Sequence, residues 1–347
     1  MSIRVLVYGA SGHTGRFVVG ELLRRGITPV VAGRSAARLA DLPPELERRV
    51  AHVDDAAALS AAVAGVGAVV NCAGPFLDTG LPLARAAVVA GAHYLDVTAE
   101  QPAVQQLYRE LDGPARAAGV AIVPAMAFFG GLADLLVTAA LDGTDGTDGA
   151  DGADEVEVAI GLDRWWPTAG TRETGVRNTA PRLTVRGGTL VPQPVVPPST
   201  WEFPAPLGAQ AVVALPFSEV VTIHRHLEVG ELRSWLSTTS LEELRDADTL
   251  PPTAVDADGR SAQRFVVDAV VRRGAETHRA RAAGRDIYAV SAPIVVEGVS
   301  RLLDGRARRT GALAPGQAFD ATDVLAALER TVDGFTRGSS SGRPARA

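Results

Sequence analysis

Lysine is missing from the 347-residue chain, so all 34 side chains of the Lys/Arg pair are arginine. That excludes Schiff-base catalysis by a lysine amine, and with it the Tyr-x-x-x-Lys pair of short-chain dehydrogenases. Cysteine is almost missing. Cys72 stands alone, which rules out an intrachain disulfide and a cysteine cluster for zinc. Within its apolar run it reads as inert core. No apolar run approaches the ~18 residues of a membrane span, and residues 1–3 lead into a strand-like segment without a basic leader. A membrane span and a signal peptide are therefore not expected. Excess positive charge is lacking too, since a net charge of −6 argues against general nucleic-acid binding. The expected setting is reduced and cytoplasmic.

What is present begins with rhythm. Strand-like runs at 3–8, 29–32, 50–53, 68–72, 94–97 and 120–123 alternate with helical stretches at 16–25, 56–64, 81–90 and 103–118. Six strands spaced this way predict βαβ units and a doubly wound Rossmann domain over residues 1–130. An acidic Asp-Gly-(Thr/Ala) repeat at 142–155 fits no calcium loop and reads as a flexible connector. Residues 131–305 then predict an α+β domain on a mixed or antiparallel sheet, for substrate binding or dimerisation. Its strands are expected at 156–162, 219–226, 264–272 and 276–283, with a hairpin at 182–191 turning on Gly187-Gly188. Helices are expected at 287–303, carrying Pro293, and at 319–335, capped by Asp320 or Thr322. Residues 306–336 return to the first domain, and 337–347 read as a disordered tail.

The sharpest chemical signal opens the chain. In Val5-Leu-Val-Tyr-Gly9-Ala-Ser11-Gly12-His13-Thr14-Gly15, three glycines follow a strand and enter a helix. Gly9 permits the tight turn, Gly12 the approach of phosphate, and Gly15 close packing of helix on strand. The helix N-terminus offers free N–H donors to a pyrophosphate. At the end of the second strand, where NAD enzymes place a carboxylate, stands Arg34, with Ser35 beside it and Arg38 one turn on. Two charge-assisted bonds to a 2′-phosphate favour NADP(H) over NAD(H) by about a hundredfold or more. Asp54 either borders the adenine or caps the next helix.

Further motifs carry a resemblance. Val70-Asn-Cys-Ala73-Gly74-Pro75-Phe76, Ala90-Gly-Ala-His-Tyr-Leu-Asp-Val-Thr98-Ala-Glu100 and Ala-Gly-Arg-Ser at 32–35 join the glycine turn. Together they resemble the saccharopine dehydrogenase-like family of NADP-binding reductases, which includes saccharopine reductases and trans-acting enoyl reductases. Gly284-Arg-Asp-Ile-Tyr-Ala-Val-Ser-Ala-Pro293 and Gly316-Gln-Ala-Phe-Asp320 look like its late motifs. The resemblance implies a Rossmann domain, an inserted mixed-sheet domain and a C-terminal return. The family's Thr-Gly-Glu is Thr98-Ala99-Glu100 here, and its Gly-Phe-Asp becomes Ala127-Phe128-Phe129-Gly130-Gly131.

Ligands of doubly wound sheets lie beyond the carboxyl ends of the strands, so residues 73–76 and 98–100 are expected near the nicotinamide. Gly74 admits the ring, and Phe76 either covers one ring face or packs in the core. Glu100 orients the carboxamide, a ribose or the substrate, unless it serves a helix start. In the second domain, Arg164, Trp165, Trp166, Thr171 and Arg172 suit an aromatic pocket for an anionic or carbonyl group, with Asn178 nearby. Proton-donor candidates are Tyr288 and His224, the latter alternating with His226 on a strand face. The functional expectation is an NADPH-dependent reductase acting on C=N, activated C=C or C=O of a small or mid-sized metabolite, without metal and as a homodimer. The alternative is an NADP(H)-binding regulatory or redox-sensing protein that turns nothing over.

Overall fold

The computed structural model describes residues 3–142 and 152–342. Six strands build the first sheet: β1 (Arg4–Tyr8), β2 (Thr28–Gly33), β3 (Glu47–Val50), β4 (Ala68–Asn71), β5 (His93–Asp96) and β6 (Ala121–Val123). All are parallel, in the order 3-2-1-4-5-6, which is the doubly wound arrangement. The crossovers are α1 (His13–Arg24), α2 (Ala36–Ala40), α3 (Ala56–Val63), α4 (Phe76–Val89) and α5 (Gln101–Ala118). With helices on both faces, Val5, Leu6, Val7, Val69 and Val70 are wholly buried.

The chain leaves this sheet through a π turn at Phe128–Leu132 and α6 (Ala133–Asp142). The second sheet opens with β7 (Gly152–Leu162), followed by α7 (Ala169–Arg177), the hairpin β8 (Leu183–Arg186) and β9 (Thr189–Pro192), β10 (Ser199–Glu202) and β11 (Ala209–Ala214). Next come α8 (Glu219–His226), β12 (Glu228–Ser237), α9 (Thr238–Arg245), β13 (Arg264–Arg273) and β14 (Glu276–Arg285). The C-terminal part holds α10 (Ile287–Leu303), β15 (Gly311–Ala312), α11 (Pro315–Ala318), α12 (Ala321–Thr331) and β16 (Thr336–Gly342). The strands run β10-β11-β12-β7-β13-β14-β16, with β8 and β9 attached beside β12. Only β12 and β7 pair in parallel, so the sheet is mixed. Its inner face meets α6, and Trp201 and Phe203 pack with Trp235 over its centre on the other side.

Several expectations need correction. Residues 219–226 form helix α8 rather than a strand. Their β-branched residues suggested a strand, but Val220, Val221 and Ile223 are buried on a helix, where packing overrides propensity. Helix α10 packs on α1 as well as β4 and β5, so it belongs to the first layer rather than to the second domain. Apolar nearly all round, it sits where both of its sides are covered. A buried ion pair, Arg25 Nη1 to Glu297 Oε2 at 2.6 Å, ties it to α1. β15 adds a seventh parallel strand beside β6. The supposed tail is ordered to Gly342 as an edge strand on β14. The acidic repeat ends sooner than expected, because β7 begins at Gly152; residues 143–151 and 343–347 lie outside the described residues.

Candidate active site

The glycine turn is fixed by its own backbone. Gly9, at φ +79°, donates to Ala32 O at 2.8 Å, and Gly12 N donates to Gly9 O at 2.9 Å. A Cβ on Gly15 would stand 2.2 Å from Gly9 O, so this glycine is required by packing. A Cβ on Gly12 would meet only Gly9 O, at 3.1 Å, and otherwise point into open space. Helix α1 starts at Gly12 with no capping side chain and no acidic residue in its first turn. Its leading N–H groups therefore remain available to an anion. Ser11 and Thr14 flank that opening. Beyond β2, Arg34 and Arg38 are exposed and form no ion pair among the described residues. Ser35 caps α2, its Oγ accepting from Arg38 N at 3.3 Å. Asp54 pairs with His52 at 3.3 Å, while the capping of α3 falls to Asp55. These residues fit a phosphorylated dinucleotide: an uncapped helix start for the pyrophosphate and two free guanidinium groups for a further phosphate.

The next wall is braced from below. Asn71 Oδ1 accepts from Ala73 N at 3.0 Å, and Thr79 Oγ1 donates to Ala73 O at 2.6 Å. Glu100 accepts from Phe76 N at 2.7 Å and Leu77 N at 3.1 Å, closing the start of α4. Burial holds its carboxyl above the usual range, against the pull of those two donors. Asp96, wholly buried, accepts from Thr98 N, Ala125 N and Tyr94 OH. Burial raises its pKa from 3.8 to about 6.

Opposite stands the second wall. Asp286, at φ +54°, receives Tyr288 N and Ala289 N at 3.0 Å each and so aims the start of α10. The Tyr288 hydroxyl accepts from Trp165 Nε1 at 3.0 Å and Thr168 N at 3.3 Å, and shares a proton with Thr171 Oγ1 at 3.0 Å. Burial pushes this phenol up, and the three partners hold it back. Its ring lies edge-on to His13, with centroids 5.3 Å apart, which joins this wall to the glycine turn. Trp165 stacks on Phe129 at 5.2 Å, and Phe129 meets Phe217 at 4.4 Å. One cavity of about 950 Å³ runs between the walls, lined by the glycine turn, Arg34, Gly74, Tyr288 and the aromatic cluster.

Residues 5–123 match the family described as saccharopine dehydrogenase NADP binding domain. The N-terminal domain belongs to that family. It is thus a saccharopine dehydrogenase-type domain that binds NADP(H). Among curated relatives, the lipid droplet localized protein of Caenorhabditis elegans is 29% identical over 136 residues, 35% of this chain and 32% of that protein. The saccharopine dehydrogenase-like oxidoreductase of Bos taurus is 28% identical over 152 residues, 38% of this chain and 35% of the relative. The matched segment thus spans about a third of these relatives' length. The fold match is longer: apo saccharopine dehydrogenase (L-Glu forming) from Saccharomyces cerevisiae aligns with a TM-score of 0.68 at 13% identity, covering 97% of this chain and all of that one. The mixed-sheet domain therefore shares that fold as well.

The cleft gathers most of the expected residues. Gly9, Ser11, Gly12, His13, Thr14, Arg34, Ser35, Arg38, Asp54, Ala73, Gly74, Pro75, Phe76, Glu100, Trp165, Thr171, Asn178 and Tyr288 all line it. Gly15 and Thr98 lie behind it as supports, the carbonyl of the latter accepting from Ser218 Oγ at 3.1 Å. The space above Gly74 is approached by Thr174 of α7, whose Oγ1 would lie 2.7 Å from a Cβ there. Four expectations move away from the cleft. Arg164 folds over Trp166 at 5.2 Å, and neither lines it. Arg172 binds the carbonyls of Asp246 and Thr249. His224 rides on α8 away from the cleft; its partner in the expected strand, His226, meets Asp134 at 2.7 Å. Cys72, read as core, borders the cavity, where burial pushes its thiol far up. Sequence reasoning missed Tyr8, Phe129, Phe217 and Arg182. Tyr8, ahead of Gly9, and Phe129, within the altered Gly-Phe-Asp motif, carried a signal; Phe217 and Arg182 did not.

Among the described residues no helix is long and apolar enough to cross a membrane.

Proposed function

We propose that the chain is an NADPH-dependent reductase that delivers hydride to a C=N or activated C=C bond, or to C=O, of a small or mid-sized metabolite. The observation that carries this reading is the continuity of the cleft from Arg34 and the glycine turn to Phe129, Trp165 and Phe217. When bound, NADPH supplies the hydride. Gly12 and the start of α1 hold its phosphates, Arg34 and Arg38 select the 2′-phosphate, and the aromatic wall lines the reacting end. Tyr288 positions the 165–171 loop through its three hydroxyl contacts. With that hydroxyl engaged, water entering the cleft is the proton source.

The same engagement of Tyr288 favours a second reading, a redox sensor that holds NADP(H) without turnover. The two part on one assay. NADPH oxidation by any imine, enone or ketone selects the reductase; tight binding with no oxidation across all three classes selects the sensor. Arg34→Ala tests the cofactor half. NADPH affinity should fall by about tenfold or more while NADH affinity holds, and an unchanged ratio removes Arg34 from phosphate recognition.

A further inference from the structure

The aromatic wall ends on a cation. The Arg182 guanidinium lies 4.9 Å from the centroid of the Phe217 ring and faces the cleft. Its one hydrogen bond among the described residues runs from Nη1 to Pro216 O at 2.7 Å. It forms no salt bridge among those residues, unlike Arg177, the other lining arginine of this domain, which pairs with Asp78 at 2.7 Å. A half-buried guanidinium with spare donors and no carboxylate partner is costly unless an anion completes it. Its surroundings agree, because burial and the nearby Arg245 disfavour its charge and only Glu219 supports it.

Contacts order the cleft. From the glycine turn, His13 touches Tyr288, Tyr288 bonds Trp165, Trp165 stacks on Phe129, Phe129 on Phe217, and Phe217 underlies Arg182. Arg182 therefore sits at the opposite end of an aromatic slot from the cofactor turn. Three acids nearby are engaged or shut away from the cleft. Glu100 closes α4, Asp78 holds Arg177, and the wholly buried Glu219 does not line the cleft; its Oε1 accepts from Ser234 Oγ at 2.6 Å and Phe217 N at 2.9 Å, while its Oε2 has no hydrogen-bond partner among the described residues. Glu173 borders the cleft from an exposed site on α7.

We propose that Arg182 anchors a single anionic group of the substrate, whose apolar body lies along Phe217, Phe129 and Trp165, so that the substrate is a monoanion rather than a zwitterionic amino acid. A carboxylate accepts the planar fork of an arginine in two bonds, whereas the one acid that lines the cleft with neither an ion pair nor a hydrogen bond to its side chain among the described residues, Glu173, is exposed on α7, and the buried Glu219 does not line it. The inference rests on the cleft being one cofactor-and-substrate site.

The test titrates the full chain, loaded with NADP+, by calorimetry with 3-phenylpropanoate, 3-phenylpropan-1-ol and L-phenylalanine. The carboxylate should bind at least about tenfold tighter than the alcohol or the amino acid. Arg182→Met should erase that margin at unchanged NADP+ affinity, and Arg182→Lys should keep part of it. If Arg182→Met no longer binds NADP+, Arg182→Gln, which retains a donor for Pro216 O, replaces it. Equal binding of acid and alcohol, tighter binding of L-phenylalanine, no binding of any probe, or a margin that survives loss of the guanidinium each overturns the proposal. The broader reading fails by a different signal: wild-type protein that does not bind NADP+, or 3-phenylpropanoate binding indifferent to its presence.

Discussion

On the Rossmann wall of the cleft, Arg34 and Arg38 lack ion-pair partners among the described residues, and the N-cap of α1 is a glycine with no capping side chain. On the facing wall, Tyr288, Thr171, Thr168 and Trp165 direct their polar groups at one another. The first wall is held from behind, by Asn71, Asp96 and Glu100, and keeps its front open to phosphate. The second is held from within, and beyond that network Arg182 stands at the end of the aromatic run without an ion pair among the described residues. An unsatisfied front suits a charged ligand that returns in the same form each time. A cross-bonded front suits a rigid slot whose choice is made by shape and one charge.

Two glycines test the open wall most severely. Gly15→Ala sets a methyl against Gly9 O and should cost about 2–3 kcal/mol of stability together with cofactor binding. Gly12→Ala meets far less protein, so unfolding curves should barely move while NADPH affinity falls. Equal stability losses in both would show that the turn is built for packing rather than for phosphate. Asp96 tests the bracing behind that wall. Its folded pKa, about 6, lies above the ordinary 3.8. Its contribution is therefore fully present below the unfolded value and lost as pH rises through the folded one. Over that window the ionised form costs the native state about 2–3 kcal/mol. Chemical denaturation across it should show wild type losing stability relative to Asp96→Asn as pH rises, and parallel curves would refute the assignment.

These walls also differed in how far the sequence disclosed them. The glycine turn, Arg34 and the βαβ alternation follow from local spacing, because β1, α1 and β2 are neighbours in the chain and must pack as a unit. β3 was displaced by three residues because Glu47-Arg48-Arg49 hides an edge strand behind polar side chains, and Val50, its last residue, opened the expected run. The second wall is assembled from far-apart segments. Tyr288 meets Trp165 because α10 returns across the first sheet, and Arg182 meets Phe217 because β8 pairs with β12 beside the 216–218 turn. Arg182 carried no motif, and Arg164 was favoured because it adjoins two tryptophans; adjacency in sequence turned it toward Trp166 and away from the cleft. His224 was lost with the strand that was to carry it, once Val220, Val221 and Ile223 found a helical face.

The smallest expected effect sharpens the comparison furthest. Tyr288→Phe removes the oxygen that Trp165 Nε1 and Thr168 N both donate to and that Thr171 shares. The ring, and its edge contact with His13, would remain. Trp165 is buried, so its indole N–H loses a partner that water cannot easily replace, whereas Thr168 and Thr171 lie nearer solvent. One buried unsatisfied donor costs about 1–2 kcal/mol, so the melting curve should shift modestly. If the hydroxyl positions the 165–171 loop, the variant should keep its NADPH affinity and lose affinity for slot ligands such as 3-phenylpropanoate. If the hydroxyl instead donates the proton, turnover should collapse with ligand affinity unchanged, and the pH profile should lose the limb set by the raised phenol. The contrast between the two walls survives only in the first case, since a proton-donating Tyr288 would make the second wall as open to its ligand as the first.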